Sequence, residues 1–315
     1  MSDWLQLLLG LGLLLGSAEL VVRGSVFIAL ASGLRPMVVG LTVIAFGTSA
    51  PELVVSLAGA LNHADGIAIG TVFGSNIANI GLVLGLAAMT TAISIDPASS
   101  RFELRVLLLA TLVTLLPLLF GWKVGTLWGI SFIGLLLIFT WRLLSERSSD
   151  SSAGGAGKAG SPITKGQVAV NILLLLAGLT GLFFGGRSLI NTVHDLAQTM
   201  GLSNTAIAAI LLAFGTSLPE LVTSVVAAMR RQPEIALGNV IGSNIFNILL
   251  VLGSTACVSP LSIGWRGEGL HVLSGCALTL VVLGCLRLRG GIPRTMGVFL
   301  LLFYAGYLTA TACLK

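Results

Sequence analysis

Charge is what this chain has least of. Only 29 of its 315 residues are Asp, Glu, Lys or Arg, or 9%. A soluble domain carries about 25%, so water is not the main solvent around this one. Cysteine is absent from the first half. The four that exist (Cys257, Cys276, Cys285 and Cys313) show no C-x-x-C spacing, which excludes a disulfide framework or a thiolate metal site and leaves packing. Histidine occurs three times, as His63, His194 and His271 at span edges or in loops. No H-E-x-x-H or nucleophile–base motif is present, so an intramembrane hydrolase lacks its chemistry and the chain reads as a non-enzyme. The opening MSDWLQLLLG has no Lys or Arg before the first apolar run, which argues against a cleaved signal peptide.

What remains is 55% hydrophobic, with 40 glycines to let helices approach closely in lipid. Apolar runs long enough to span a bilayer recur end to end. They predict ten spans, near 4–31, 37–61, 67–91, 103–121, 124–144, 166–190, 203–229, 234–256, 269–286 and 292–313. With that count and the N-terminus outside, twelve basic residues fall in inward loops, three fall outside, and Arg23 and Arg187 lie within spans. The positive-inside rule therefore puts both termini outside, and the basic residues need no nucleic-acid explanation. Residues 145–165, SERSSDSSAGGAGKAGSPITK, cannot bury a core and read as a flexible cytoplasmic linker.

The linker separates residues 1–144 from 166–315, five spans each. An odd number of spans makes the second half enter from the opposite side, so the halves are inverted repeats. The repeat is legible in the letters. AFGTSAPELVVS and GTVFGSNIANIGLVLG in the first half return as AFGTSLPELVTS and GNVIGSNIFNILLVLG at an offset of 168, with 25 of 41 positions identical between Ala45–Gly85 and Ala213–Gly253. The signature repeats extend over 40–91 and 208–256. The fold class is thus all-α and polytopic, ten transmembrane helices in two inverted five-helix repeats, with equivalent residues converging near the midplane.

Each copy carries an acid inside an apolar run. Thr48, Ser49 and Glu52 share one helix face by their i,i+4 and i,i+3 spacing, and Pro51 cannot donate to the Gly47 carbonyl. Carbonyls near Ala45–Thr48 are then expected to lack helical partners, which lipid does not tolerate. Thr216, Ser217, Pro219 and Glu220 repeat the arrangement. Ser75 and Asn79, with Ser243 and Asn247, add a polar face on the next span. Every donor is oxygen, which suits hard cations such as Ca²⁺, Mg²⁺ or Na⁺. Two carboxylates match one divalent ion or two monovalent ions, a physical basis for exchange. A lone intramembrane Glu could be interhelical glue, but two in symmetric register mark a function. Gly47, Gly70, Gly74, Gly81, Gly215, Gly238 and Gly242 flank these residues and should permit close backbone approach.

At these positions the sequence resembles the Na⁺/Ca²⁺ exchanger family of the cation/calcium antiporter superfamily, in particular the bacterial and archaeal members without regulatory domains. G-T-S-x-P-E and G-S-N-I-x-N, each present twice, are that family's α-repeat signatures. The resemblance implies alternating access, with Ca²⁺ held by Glu52 and Glu220 aided by Thr48 and Thr216. It implies Na⁺ sites completed by the Ala45 and Ala213 carbonyls with Ser49, Ser75, Ser217 and Ser243. Some members have Asp where this chain has Asn247, the partner of Asn79, so this site holds two carboxylates rather than three. The expected activity is Ca²⁺/Na⁺ antiport across the plasma (inner) membrane, extruding Ca²⁺, with the ions and the lipid bilayer as partners. No cofactor or obligate protein partner is expected. Ca²⁺/H⁺ exchange is the alternative, because close carboxylates in low dielectric can retain a proton. A Ca²⁺ channel fits broken inverted repeats less well.

Four other acids, Asp96, Glu103, Glu234 and Glu268, are expected to be solvated at loops or span ends. Glu19 and Arg23 have ion-pair spacing within span one, and Arg187 is expected to have a structural or snorkelling role.

Overall fold

The computed structural model describes residues 3–62, 64–96, 100–145, 164–199, 215–265 and 268–313. Helix α1 (Asp3–Ser32) ends at Gly33, whose φ of +68° turns the chain through the left-handed region. Helices α2 (Pro36–Thr48) and α3 (Ala50–Leu61) form one span bent by 45°. Next come α4 (Asp65–Thr90), α5 (Arg101–Phe120), α6 (Thr126–Ser145) and α7 (Lys165–Thr199). The chain closes with α8 (Leu218–Met229), α9 (Pro233–Val258), α10 (Gly269–Arg289) and α11 (Arg294–Cys313). Among the described residues, seven helices are individually long and apolar enough to cross a membrane, and the bent pair makes an eighth. The predicted span at 203–229 is described only from 215 onward, so its N-terminal part and Ala213 lie outside the described residues, as does most of the predicted linker.

Helices α4 and α9 are the most buried, and their apolar side chains build the core with those of α2 and α10. Helices α6 and α7 sit at the periphery. Leu127, Ile138 and Trp141 on one, and Leu173 and Phe184 on the other, are exposed as a lipid-facing surface requires.

Backbones approach closely between α2 and α9. A Cβ at Gly242 would stand 2.6 Å from the Leu41 carbonyl and 2.7 Å from the Ala45 Cβ. One at Gly238 would collide with the Met37 carbonyl. The expected role of these two glycines thus holds. Gly47 and Gly81 are different, each covered by a side chain, of Leu179 and Tyr304 respectively. Gly70 and Gly74 correspond by repeat to Gly238 and Gly242, but the stretch matching α2, residues 205–213, lies outside the described residues.

Two short ribbons were not foreseen. Strand β1 (Ile93–Ser94) pairs antiparallel with β4 (Gly291–Ile292), and β2 (Lys123–Val124) with β3 (Leu261–Ser262). Each joins one half of the chain to the other. The offset of 168 maps β1 onto β3 and β2 onto β4, so one ribbon is the image of the other. Helix α5 runs from β1 to β2 and α10 from β3 to β4, so a ribbon closes each end of the helix bundle.

Three segments wind as π-helix inside otherwise α-helical spans: Gly40–Ile44, Asn79–Leu84 and Asn247–Leu252. The last two are repeat equivalents. Such wide turns are rare and often mark functional sites. Hydrophobic periodicity gave no sign of them.

The expectation for one loop acid fails. Glu103 is not solvated: it is 1% exposed and ion-paired to Arg35 across the gap between α5 and the start of α2. A buried carboxylate needs such a partner, and 68 residues of sequence separation hid it.

Candidate cation site

The site forms where both halves break a helix. Pro51 and Pro219 begin α3 and α8, with Ser49 and Ser217 as N-cap residues and Glu52 and Glu220 in the first turn. Proline is favoured there because its missing N–H needs no partner, and the exposed amide ends favour a carboxylate. Neither serine uses its hydroxyl to cap its own helix. That leaves Ser49 Oγ to donate to Glu220 Oε1 at 3.4 Å, across the repeat boundary.

Glu52 and Glu220 are both 0% exposed. They lie close enough to feel each other's charge. Glu52 stands beside the hydroxyls of Thr216 and Ser75, themselves 3.2 Å apart, and Glu220 beside those of Thr48 and Ser49. Glu220 is thus lined by two hydroxyls of the opposite half, and Glu52 by one from each half. Neither oxygen of Glu52 has a hydrogen-bond partner, and neither does Glu220 Oε2. Among the described residues no Lys or Arg pairs with either acid. Ser243 Oγ, both amide atoms of Asn79 and Asn247 Oδ1 are likewise buried and unpartnered.

The structure therefore brings Thr48, Ser49, Glu52, Ser75, Thr216 and Glu220 together at the junction of the halves. Asn79 and Asn247 begin the equivalent π-helical turns of α4 and α9. Ser217 is buried at the head of α8, with its backbone carbonyl accepting from Leu221. The Ala45 carbonyl departs from expectation. It is not orphaned by Pro51 but accepts from the Ser49 N–H at 3.0 Å and lies 3.4 Å from Thr48 Oγ1. A second lone pair leaves it able to ligate. Among the described residues, no three or more His, Cys, Asp or Glu side chains cluster.

Sequence reasoning passed over a supporting layer. Asn239 Oδ1 lies 3.3 Å from Thr48 Oγ1, and its amide donates to Ser224 Oγ at 2.9 Å. Ser56 and Thr255 hydroxyls are 3.0 Å apart between α3 and α9. Asn76 and Asn244 stood inside the quoted G-S-N-I-x-N motif without an assigned role. Their signal was their polarity in an apolar run, the same signal that singled out Glu52.

The model of the family described as sodium/calcium exchanger protein matches residues 2–144 and 170–312. Putative antiporter CaxA of Alkalimonas amylolytica is 33% identical over 95% of each chain. Sodium/calcium exchanger MaX1 of Methanosarcina acetivorans is 31% identical over 97% of each. Among solved structures, the sodium-calcium exchanger NCX_Mj superimposes with a TM-score of 0.85 at 30% identity, covering 98% of both chains. It has been studied in crystals soaked with Na⁺, Ca²⁺ or Sr²⁺.

Proposed function

Since the chain belongs to the sodium/calcium exchanger family, a family of multi-pass membrane antiporters and not enzymes, we propose that it exchanges Ca²⁺ for Na⁺ by alternating access and extrudes Ca²⁺ across the plasma (inner) membrane. Glu52 and Glu220 are the Ca²⁺ ligands in this reading, with Thr48 and Thr216. Ser49, Ser75, Ser217, Ser243, Asn79, Asn247 and the Ala45 and Ala213 carbonyls complete the Na⁺ positions. The chain forms ten spans in inverted halves, 1–144 and 166–315. Both termini face outward, and the 145–165 linker is cytoplasmic.

The observation that carries this reading is the pair of fully buried carboxylates with three oxygens lacking any partner. An unneutralised buried charge costs several kcal/mol even after relaxation. Among the described residues no Lys or Arg pairs with either acid, and a cation from solution supplies the missing positive charge in this reading. One Ca²⁺ or two Na⁺ balance two carboxylates equally, which makes occupancy by one exclude the other. Protons could balance them as well, and that is the Ca²⁺/H⁺ reading.

The deciding experiment is ⁴⁵Ca²⁺ uptake into proteoliposomes loaded with Na⁺, K⁺ or choline, each with and without a pH gradient. Uptake that requires internal Na⁺ supports the proposal. Uptake driven by the pH gradient in choline replaces it with proton exchange, and uptake indifferent to both gradients refutes antiport by either ion.

A further inference from the structure

The two asparagines of each G-S-N-I-x-N motif are repeat equivalents, Asn76 with Asn244 and Asn79 with Asn247, yet they are bonded differently. Asn76 Nδ2 points at the backbone carbonyl of Asn244 at 3.5 Å, while Asn76 Oδ1 accepts from Asn247 Nδ2 at 3.0 Å. In the mirror position Asn244 turns its Nδ2 to the Val240 carbonyl of its own helix at 2.7 Å, leaving its Oδ1 without a partner. Asn79 is not held at either amide atom. One asparagine is clasped and its counterpart is loose.

The clasp has a polarity that can be read without resolving nitrogen from oxygen. The two ends of an Asn amide look alike in shape and are told apart by their partners. A backbone carbonyl only accepts, so the Asn76 atom facing the Asn244 carbonyl must be the NH₂; an oxygen there would meet another oxygen. That places Asn76 Oδ1 toward α9, and Asn247 must answer it with its own NH₂. The remaining atom of Asn247, Oδ1, is then a buried acceptor with no protein donor. Were the Asn247 amide reversed, it would present two N–H donors where the cation-site reading needs an oxygen.

We infer that Asn76 is a positioning residue for ion exchange, holding the Asn247 amide in the one orientation that offers oxygen rather than NH₂ to the transported cation. This rests on the cation-site reading above. Asn76 need not touch the ion, since both ends of its amide are spent on α9.

The test uses the fact that a carboxylate presents oxygen whichever way it turns, so the clasp should be dispensable when residue 247 is acidic. Na⁺ and Ca²⁺ binding to the purified full chain is measured by calorimetry for Asn76→Ala and Asn76→Val, in the parent and in the Asn247→Asp background. Valine fills most of the volume that alanine would leave empty. In the parent, either change should weaken binding about tenfold, the scale of one lost intramolecular hydrogen bond. In the Asn247→Asp background it should cost less than about twofold, a non-additivity that reports the coupling. Equal losses in both backgrounds, no loss in the parent, or failure of both variants to fold in either background would assign Asn76 to structure alone and overturn the inference. Glu52→Gln is measured alongside. If it keeps parental Ca²⁺ affinity, the cation site itself falls; if it loses affinity while Asn76→Ala does not, only the clasp falls.

Discussion

Replacing Glu52 by Gln should separate Ca²⁺ from Na⁺ sharply. The side chain keeps its size, and the neighbouring hydroxyls of Thr216 and Ser75 can donate to or accept from the new amide. The site charge falls from about −2 to −1, so bound Ca²⁺ leaves one uncompensated positive charge in a water-poor interior. Removing one member of a buried charge pair costs about 3–5 kcal/mol, which corresponds to a Ca²⁺ Kd weaker by roughly 10² to 10⁴. A single Na⁺ still finds Glu220. Its charge is half that of Ca²⁺, so the same substitution should weaken Na⁺ binding by only about 10 to 100-fold. Calorimetric titration of the purified variant with each ion reads the two affinities, and size-exclusion chromatography shows that it is folded. Na⁺-driven ⁴⁵Ca²⁺ uptake should be abolished. A Ca²⁺ Kd within about tenfold of the parent, or equal losses for both ions, would refute the charge-matching argument.

Glu220→Gln should behave likewise, with a further loss if the Ser49 contact is disturbed; Na⁺-driven uptake near the parental level would contradict it. Breaking the buried ion pair by Glu103→Gln should destabilise the protein by roughly 2 kcal/mol, discounted because Arg35 keeps some exposure, and should leave Ca²⁺ affinity unchanged. A fall in melting temperature with constant Kd checks this. Gly242→Val forces α9 away from Leu41 and Ala45; it should eliminate transport while the protein remains in the membrane, and parental flux would show that the approach of α2 to α9 is dispensable. A cysteine introduced near Gly155 should be labelled only from the cytoplasmic side and one at the extreme C-terminus only from outside, so labelling of both from the same side would mean a miscounted span. Asn247→Asp puts a third carboxylate beside the first two, and the pH profile of Ca²⁺ flux from about pH 6 to 9 should change; an overlay with the parent would place residue 247 away from the acids.

Much of this could be read in the letters because lipid imposes a narrow grammar. Apolar runs fixed helix positions to within a few residues: the predicted span at 234–256 is Pro233–Val258, and that at 269–286 is Gly269–Arg289. Pro51 predicted the break before Glu52, and the break is there as a 45° bend. The hydroxyls gathered around the two acids were also visible, since they repeat in register. Bonds that cross between elements were not legible. Arg35 with Glu103, Asn239 with Thr48, and Asn76 with Asn247 depend on how helices pack, and no spacing along one helix reveals a partner on another. The ribbons escaped for a similar reason: a two-residue strand has no periodicity, and its pairing partner lies in the other half. The Ala45 carbonyl was misjudged because a local rule about Pro51 ignored the bond that Ser49 supplies.

Those ribbons carry a consequence for how the molecule holds together. Ile93–Ser94 and Leu261–Ser262 are the same strand in the two halves, and neither pairs with a strand of its own half. Each half offers one strand at either end of the bundle and accepts its complement from the other, as two subunits of a symmetric dimer would. The carboxylates take part in the same exchange, Glu220 facing Thr48 and Ser49 of the other half and Glu52 facing Thr216. Severing the chain between the halves would therefore leave each of these pairings available between the two pieces. Co-produced as separate polypeptides, the two pieces would still have every reason to reassemble, because a half alone has unpaired strands, an incomplete core and a solitary buried acid.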